Sequence, residues 1–409
     1  MKTKHVIIGS SAAGLTAAKT IRIEKPDDEI LVISADEFVY SRCMLHKYIS
    51  GDRNLSSLSF VEDDFFEKYK IDTLLGRRVS AIDPSQKKIF FYDEEETYDK
   101  LLIATGTISS YPPIVGLTGV NNILGLRDIA DANNIRAYAR IARHICIIGA
   151  GLVGLDAASG LTGMKKDVTV IETFGTILPN TLDQYAAKTY QDKFEEFGCK
   201  FRFNSKAVEA KSDDLNNVSS VVLESGEELR CDLLIVAIGV TPAVKFLENS
   251  GIDAPYGVTV NEFMETNVAD VYAAGDITGM AEAWPDALKQ GEAAALNMVG
   301  IRQEYIQSPI PQNAIHFFGI PTLSVGQVKE TENDVAYAQE DAHNYRKVVL
   351  NNNIPVGVLL QGDISRAGFW QYAIKNKIEI ESEGKNLWSN SFADAYGITE
   401  SGEYVWIVK

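Results

Sequence analysis

Cysteine is scarce in this chain. Four residues, Cys43, Cys146, Cys199 and Cys231, lie scattered along 409 positions with no CxxC pair. That spacing excludes a self-contained iron–sulfur cluster or a Cys-rich zinc site. Histidine is also sparse, with five residues and no metal-ligand spacing, so no resident metal is expected. Basic residues are outnumbered 39 to 56, for a net charge of −17. Without a cationic surplus to displace counterions, neither nucleic acid nor an anionic membrane surface is an expected partner. No apolar run reaches the length of a membrane span, and the short run in "MKTKHVIIGS" does not read as a secretory signal. The compartment expected from this thiol usage is a reducing cytoplasm.

What is present is a repeated plan. Hydrophobic residues make up 45% of the chain and charged ones 23%, which is ordinary for a globular protein. The length calls for two or three domains. "HVIIGSSAAGLTAAKTIRIEKPDDEILVIS" runs an apolar strand into a glycine turn, an alanine-rich helix and a second apolar strand. "HICIIGAGLVGLDAASGLTGMKKDVTVIE" repeats that order further along. Two such βαβ units so far apart predict two dinucleotide-binding domains, not a solenoid. Past residue 310 the texture changes: "NYRKVVLNNNIPVGVLLQGD" reads as a hairpin and "SRAGFWQYAIKN" as a helix. The expected fold class is therefore α/β, with two Rossmann-like domains and a carboxy-terminal α+β domain. The expected boundaries are 1–115 with 242–307 for the first domain, 116–241 for the second inserted in it, and 308–409 for the third.

The second glycine turn carries the full GxGxxG pattern in Gly149, Gly151 and Gly154. The first glycine permits the tight turn, the second lets backbone approach a pyrophosphate, and the third lets helix and strand pack closely. The phosphates then meet the helix amino terminus. Glu172 ends the following strand, where a carboxylate suits two ribose hydroxyls and repels a 2′-phosphate. No arginine follows in "IETFGTILPN", so NADH is expected over NADPH. The first turn is a variant: Gly9 and Gly14 stand at the outer positions, Ser11 at the middle one, and the strand ends at Ser34 with the nearest acids at Asp36 and Glu37. The acidic run Asp93 to Glu96 reads as a solvated turn.

"GSSAAG", "LLIATG", "GAGLVG", "VAIGVTP" and "VYAAGDITG" occur in the order found in flavoproteins of the pyridine nucleotide-disulfide oxidoreductase superfamily, and the chain resembles them over about residues 4 to 300. The resemblance implies FAD at Gly9, Ser11, Ala12, Gly14, Ser34, Arg42, Lys47, Val79, Ala104, Thr105, Gly106, Gly275 and Asp276. It implies NADH at Gly149, Gly151, Leu152, Val153, Gly154, Glu172 and Gly239. It further implies hydride transfer between the nicotinamide and flavin N5, followed by release of electrons to an acceptor.

The segment "YSRCMLHK" separates two chemistries. Tyr40, Ser41, Arg42 and Leu45 match the pattern of rubredoxin and ferredoxin reductases, with Lys47 at the lysine that those relatives pair with a glutamate two residues beyond the third glycine. Here that position is Asp156, one methylene shorter, and both a Lys47–Asp156 pair and a solvent-facing Lys47 stay open. In this register Cys43 stands where such relatives carry a non-redox residue. A register slipped by one would make it the reactive cysteine of thiol-dependent oxidases, peroxidases and disulfide reductases, and Arg42 and Lys47 beside it would lower its pKa. Three functions stay open. One is an NADH reductase for a rubredoxin- or ferredoxin-like carrier. Another is the NADH-handling flavin subunit of a larger complex with an iron–sulfur partner. The third is a thiol-dependent enzyme using Cys43. "HFFGIP" offers Phe317 and Phe318, where relatives place residues against the flavin edge, with core packing the expected role of at least one of them. The tail after residue 385 is either a contact surface or the last packed element of its domain.

Overall fold

The computed structural model describes residues 2–92, 94–280, 283–307, 310–380 and 387–406. The chain divides into two compact units. The first comprises 1–149, 153–171 and 205–307; the second comprises 150–152, 172–204 and 308–409.

The first unit is built on a five-stranded sheet ordered Val271–Ala273, Lys100–Ile103, Lys4–Ile8, Glu29–Ser34, Asp72–Leu75, all parallel. Its strands read as unbroken apolar runs because both faces are covered, and Val6, Ile7, Val32, Ile33, Leu101 and Leu102 are fully buried. Each such Ile or Leu contributes about 2 kcal/mol of transfer free energy. Helix Ala12–Glu24 buries its alanine face against helix Trp284–Met298. The contact is close because residue 291 is glycine: a Cβ there would lie 2.3 Å from the Ala13 carbonyl oxygen. The same unit holds parallel strands Asp167–Ile171, His144–Ile148, Leu233–Val236 and Ile123–Leu124 in that spatial order. Glu94–Thr97 is not the solvated turn expected of it. It is a strand paired with Lys88–Phe91, and Lys88 and Lys4 hold Glu95 and Glu96 at 2.7 and 2.6 Å; Asp93 lies outside the described residues.

The second unit carries a five-stranded antiparallel sheet ordered Gln312–Phe317, Ile320–Gly326, Ile354–Gln361, Tyr345–Asn351, Asp334–Glu340. The expected hairpin closes at Asn352 and Asn353, both at positive φ (49° and 63°), the geometry asparagine tolerates. Helix Ala367–Lys375 buries Trp370 completely against this sheet. Leu387 is buried in the same cluster and Trp388 meets Trp370 at 5.9 Å, so this part of the tail is packed structure. Helix Gln184–Glu196 is tied to the sheet from within the unit. The Tyr190 hydroxyl contacts the Ile320 carbonyl at 2.6 Å and the Thr322 hydroxyl at 2.7 Å, and the Tyr345 hydroxyl donates to Asp183 at 2.6 Å. Phe317 and Phe318 are absorbed here: Phe317 packs on Tyr190 and Phe194, and Phe318 stacks on Phe197 at 4.7 Å. No helix among the described residues is long and apolar enough to cross a membrane.

Candidate functional site

A cavity of about 1300 Å³ opens in the first unit at the carboxyl ends of the parallel strands, where α/β sheets bind ligands. That exceeds the roughly 300–1,000 Å³ of a pocket for a drug-sized molecule and suits an extended dinucleotide. Its floor is the first glycine turn. Gly9 has φ +121°, and a Cβ on it would lie 2.1 Å from the Ala104 carbonyl oxygen; a Cβ on Gly14 would lie 1.9 Å from the Gly9 oxygen. The outer glycines are therefore demanded by backbone approach. Ser11 takes the N-cap position of helix Ala12–Glu24 without capping it through its side chain, so the amino-terminal N–H groups of a 13-residue helix face the cavity with Ser11, Ala12 and Ala13 on its wall.

Of the residues assigned to FAD, all but Gly14 and Lys47 line this cavity. Gly14 acts through packing. Ser34 is buried and accepts from the Ser10 hydroxyl at 2.8 Å and from the Asp36 N–H at 3.2 Å. Asp36 is held by Arg42 (2.7 Å) and by the Tyr40 hydroxyl (2.9 Å), and Tyr40 in turn accepts the Ile129 N–H at 3.0 Å. Burial pushes the Tyr40 hydroxyl well above the usual range, so it acts as a neutral pivot. Asp276 forms an ion pair with Arg127 at 2.6 Å, and Arg127 Nε donates to the Thr107 carbonyl at 3.2 Å. The Arg127 carbonyl accepts from Arg42 at 3.1 Å, which links the two ion pairs.

Arg127 was missed by the sequence reading. The signal available for it was its place between strand Ile123–Leu124 and helix Ile129–Ile141, a strand-to-helix loop of the kind that borders ligand crevices. Arg77, Arg78 and Trp284 also line the cavity unforeseen. The hydroxyls of Thr105 and Thr107 are buried on the wall with no hydrogen-bond partner. Orphaned donors beside paired guanidinium groups and a helix amino terminus fit the phosphates and polyol of a flavin dinucleotide.

Cys43, in the 3-10 turn Arg42–Met44, is exposed on the cavity wall. Its pKa is not lowered, as the thiol-enzyme alternative required it to be. Although the residue as a whole is exposed, the protein packed about its thiol pushes the pKa up, and the Asp156 carboxylate adds to that, outweighing the pull of Arg127. Lys47 and Asp156 are not partnered either. Lys47 Nζ lies 3.5 Å from Asp52, while His46 Nδ1 lies 3.4 Å from Asp156 without a hydrogen bond. The cause is packing: helix Leu152–Thr162 approaches segment 45–50 through Gly160, where a Cβ would lie 2.9 Å from the His46 carbonyl oxygen. That contact seats His46, and not Lys47, against a carboxylate one methylene short. Burial raises Asp156 to about 7 against the weaker pull of Lys47, and burial lowers His46 to about 4. At neutral pH this contact is therefore no charged pair.

At the second glycine turn, within the first unit, a Cβ on Gly149 would lie 2.5 Å from the Ala237 oxygen and one on Gly154 would lie 2.0 Å from the Gly149 oxygen. Gly151 has open space on its Cβ side, Val153 is exposed, and Gly239 has φ +123°. Within the second unit, Glu172 is buried and accepts the Ala150 N–H at 2.7 Å and the Phe174 N–H at 3.0 Å, with Leu152 half-buried. The carboxylate at the strand end is thus oriented by backbone donors.

Two dinucleotide turns on parallel sheets, with a long cavity over the first that is lined in part by arginines, define a two-nucleotide flavoprotein fold. The chain belongs to the pyridine nucleotide-disulphide oxidoreductase family, whose description matches residues 3–291, and residues 311–378 match the rubredoxin NAD+ reductase C-terminal domain. It is 28% identical to the nitrite reductase [NAD(P)H] of Bacillus subtilis (strain 168) over 94% of the chain and 48% of that protein. It therefore spans about half the length of that relative. It is 31% identical to the NADH-dependent phenylglyoxylate dehydrogenase subunit epsilon of Aromatoleum evansii, covering 87% of each. Among solved structures, the NADH:rubredoxin oxidoreductase from Clostridium acetobutylicum aligns with TM-score 0.76 and 26% identity over 94% of this chain and 98% of that one.

Proposed function

We propose that the protein takes electrons from NADH onto FAD and delivers them to a one-electron acceptor, a rubredoxin- or ferredoxin-like carrier or a partner iron–sulfur subunit. FAD held in the cavity would supply the redox chemistry, two-electron uptake from a nicotinamide and one-electron release. The observation that carries the reading is the cavity itself, whose wall offers glycine-turn, arginine and hydroxyl anchors for a flavin dinucleotide. The match of residues 311–378 to the rubredoxin reductase domain supports the acceptor class.

The chain's own residues have positional roles. The turn Gly9–Gly14 would present backbone N–H groups to the pyrophosphate; Arg42 and Arg127 would add charge-assisted donors, and Asp276 and the Thr105 hydroxyl would hold the polyol. Gly149, Gly151 and Gly154 hold the NADH pyrophosphate, with Glu172 on its ribose, which favours NADH over NADPH. Lys47 and Asp156 do not line the cavity, so their influence on the site is electrostatic.

The place of Cys43 on the cavity wall favours a second reading, a thiol-dependent oxidase or disulfide reductase. An anaerobic NADH titration separates the two. One NADH per FAD, with direct bleaching that is unchanged in Cys43→Ser, is expected. Uptake of a second equivalent, with a long-wavelength charge-transfer band absent from the variant, would sink the carrier-reductase reading.

A further inference from the structure

We propose that the face formed by segments Leu45–Ser50 and Ile129–Ile141 docks a small acidic electron-carrier protein, anchored by Arg53, Arg136 and Arg140; this rests on the function proposed above. The two segments form one surface. The Tyr48 hydroxyl donates to Asn133 at 2.7 Å, and the Arg136 guanidinium lies 4.3 Å from the centre of the Tyr48 ring. The stack holds Arg136 in a fixed orientation, which lowers the entropy cost of pairing it with a partner. Arg140 is exposed one turn further along the helix beside Ile141, which is 83% exposed. Arg53 is exposed and its Nη1 donates to the Ser57 carbonyl at 3.2 Å.

The charges on this face are largely uncompensated. Lys47 is paired with Asp52, and Arg143 with Asp167. Among the described residues, Arg53, Arg136 and Arg140 form no ion pair. On a chain of net charge −17, a surface with three unpaired arginines is where an acidic protein finds attraction instead of repulsion. The face also adjoins the cavity. Arg42 and Cys43 are on the cavity wall, Leu45 begins the docking segment, and the Arg42 guanidinium donates to the carbonyl of Arg127, two residues before Ile129. A carrier seated here is beside the wall of the flavin site. The exposed Ile141 follows Arg140 directly in the helix, so an apolar side chain stands next to the charged ones, as in a transient docking patch.

The test uses the flavin-loaded protein, NADH, and two acceptors: an acidic bacterial rubredoxin and uncharged menadione. Arg136→Glu/Arg140→Glu is expected to lower kcat/KM for rubredoxin about tenfold and to flatten its salt dependence, with menadione turnover unchanged. Arg136→Lys, which keeps the charge, is expected to lose much less, and Arg140→Glu alone guards against a folding defect because that residue is exposed. If wild type reduces rubredoxin with a steep salt dependence that the reversal leaves intact, the face is overturned while the proposed function survives. If wild type reduces menadione but no iron–sulfur protein, the acceptor reading itself has failed. A wild-type dimer that the reversal converts to monomer assigns the face to a second copy of this chain and overturns the docking proposal.

Discussion

Gly14→Ala is expected to yield a protein that purifies without flavin. The added Cβ would sit 1.9 Å from the Gly9 carbonyl oxygen and 3.0 Å from its carbon, with Ile7 Cγ2 at 3.3 Å on its other side. The first two are backbone atoms, so relief comes only by moving the turn off strand Lys4–Ile8. Overpacking of this kind costs about 3 kcal/mol, and the displaced atoms are those that would face the pyrophosphate. If that cost falls on the binding-competent turn, FAD affinity drops about a hundredfold, since each 1.4 kcal/mol is a factor of ten. Flavin content after dialysis, measured by absorbance against protein, reads the loss directly. Gly151→Ala supplies the contrast. Nothing lies within 4 Å of its Cβ position, so the fold and bound flavin should be untouched while the KM for NADH rises. Full flavin content in Gly14→Ala would show that the turn tolerates the shift and that the cavity floor is softer than its geometry implies.

The sequence made the first turn legible because its constraints are local. The outer glycines, the alanines that let helix Ala12–Glu24 bury one face, and the apolar strands either side all lie within one βαβ unit. The same holds for the Asn352–Asn353 hairpin. What stayed hidden depends on chain segments far apart. Arg127 matters because its guanidinium reaches Asp276, 149 positions away, and nothing in "GLRDIA" announces that distance. The Lys47–Asp156 expectation came from resemblance and missed the role of Gly160, which brings His46 to the carboxylate. The lowered pKa that the thiol-enzyme alternative required of Cys43 counted the cations adjacent in sequence and not the protein packed about the thiol, which dominates. Phe318 belongs with Phe197 because the second unit folds helix Gln184–Glu196 onto its own sheet, a tertiary fact that no motif encodes.

The half-buried carboxyl of Asp156 gives the second large effect, on stability. Its pKa is raised from the ordinary carboxylate value to about 7, first by burial, with Lys47 pulling the other way. The sign follows from proton uptake. Between about pH 4 and 7 the folded chain binds this proton more tightly than the unfolded chain does, so stability is greatest at the acid end and is lost progressively as pH rises to about 7. Asp156→Asn carries no charge to desolvate. At pH 8 it should be more stable than wild type by at most about 4 kcal/mol, and by about 2 kcal/mol once the partial solvent access of this side chain is allowed for. At pH 5 the gain should shrink to less than half. Thermal midpoints of both proteins at the two pH values decide it, and a gain equal at both would mean that the carboxyl is not strained by burial. Asp156→Glu probes the same point from the other side. If its extra methylene lets the carboxylate reach Lys47 and the pair forms, the charged state becomes favourable and the loss of stability toward pH 8 disappears. A glutamate that keeps the wild-type pH dependence would place the cause in the packing around Gly160 and not in the length of the side chain.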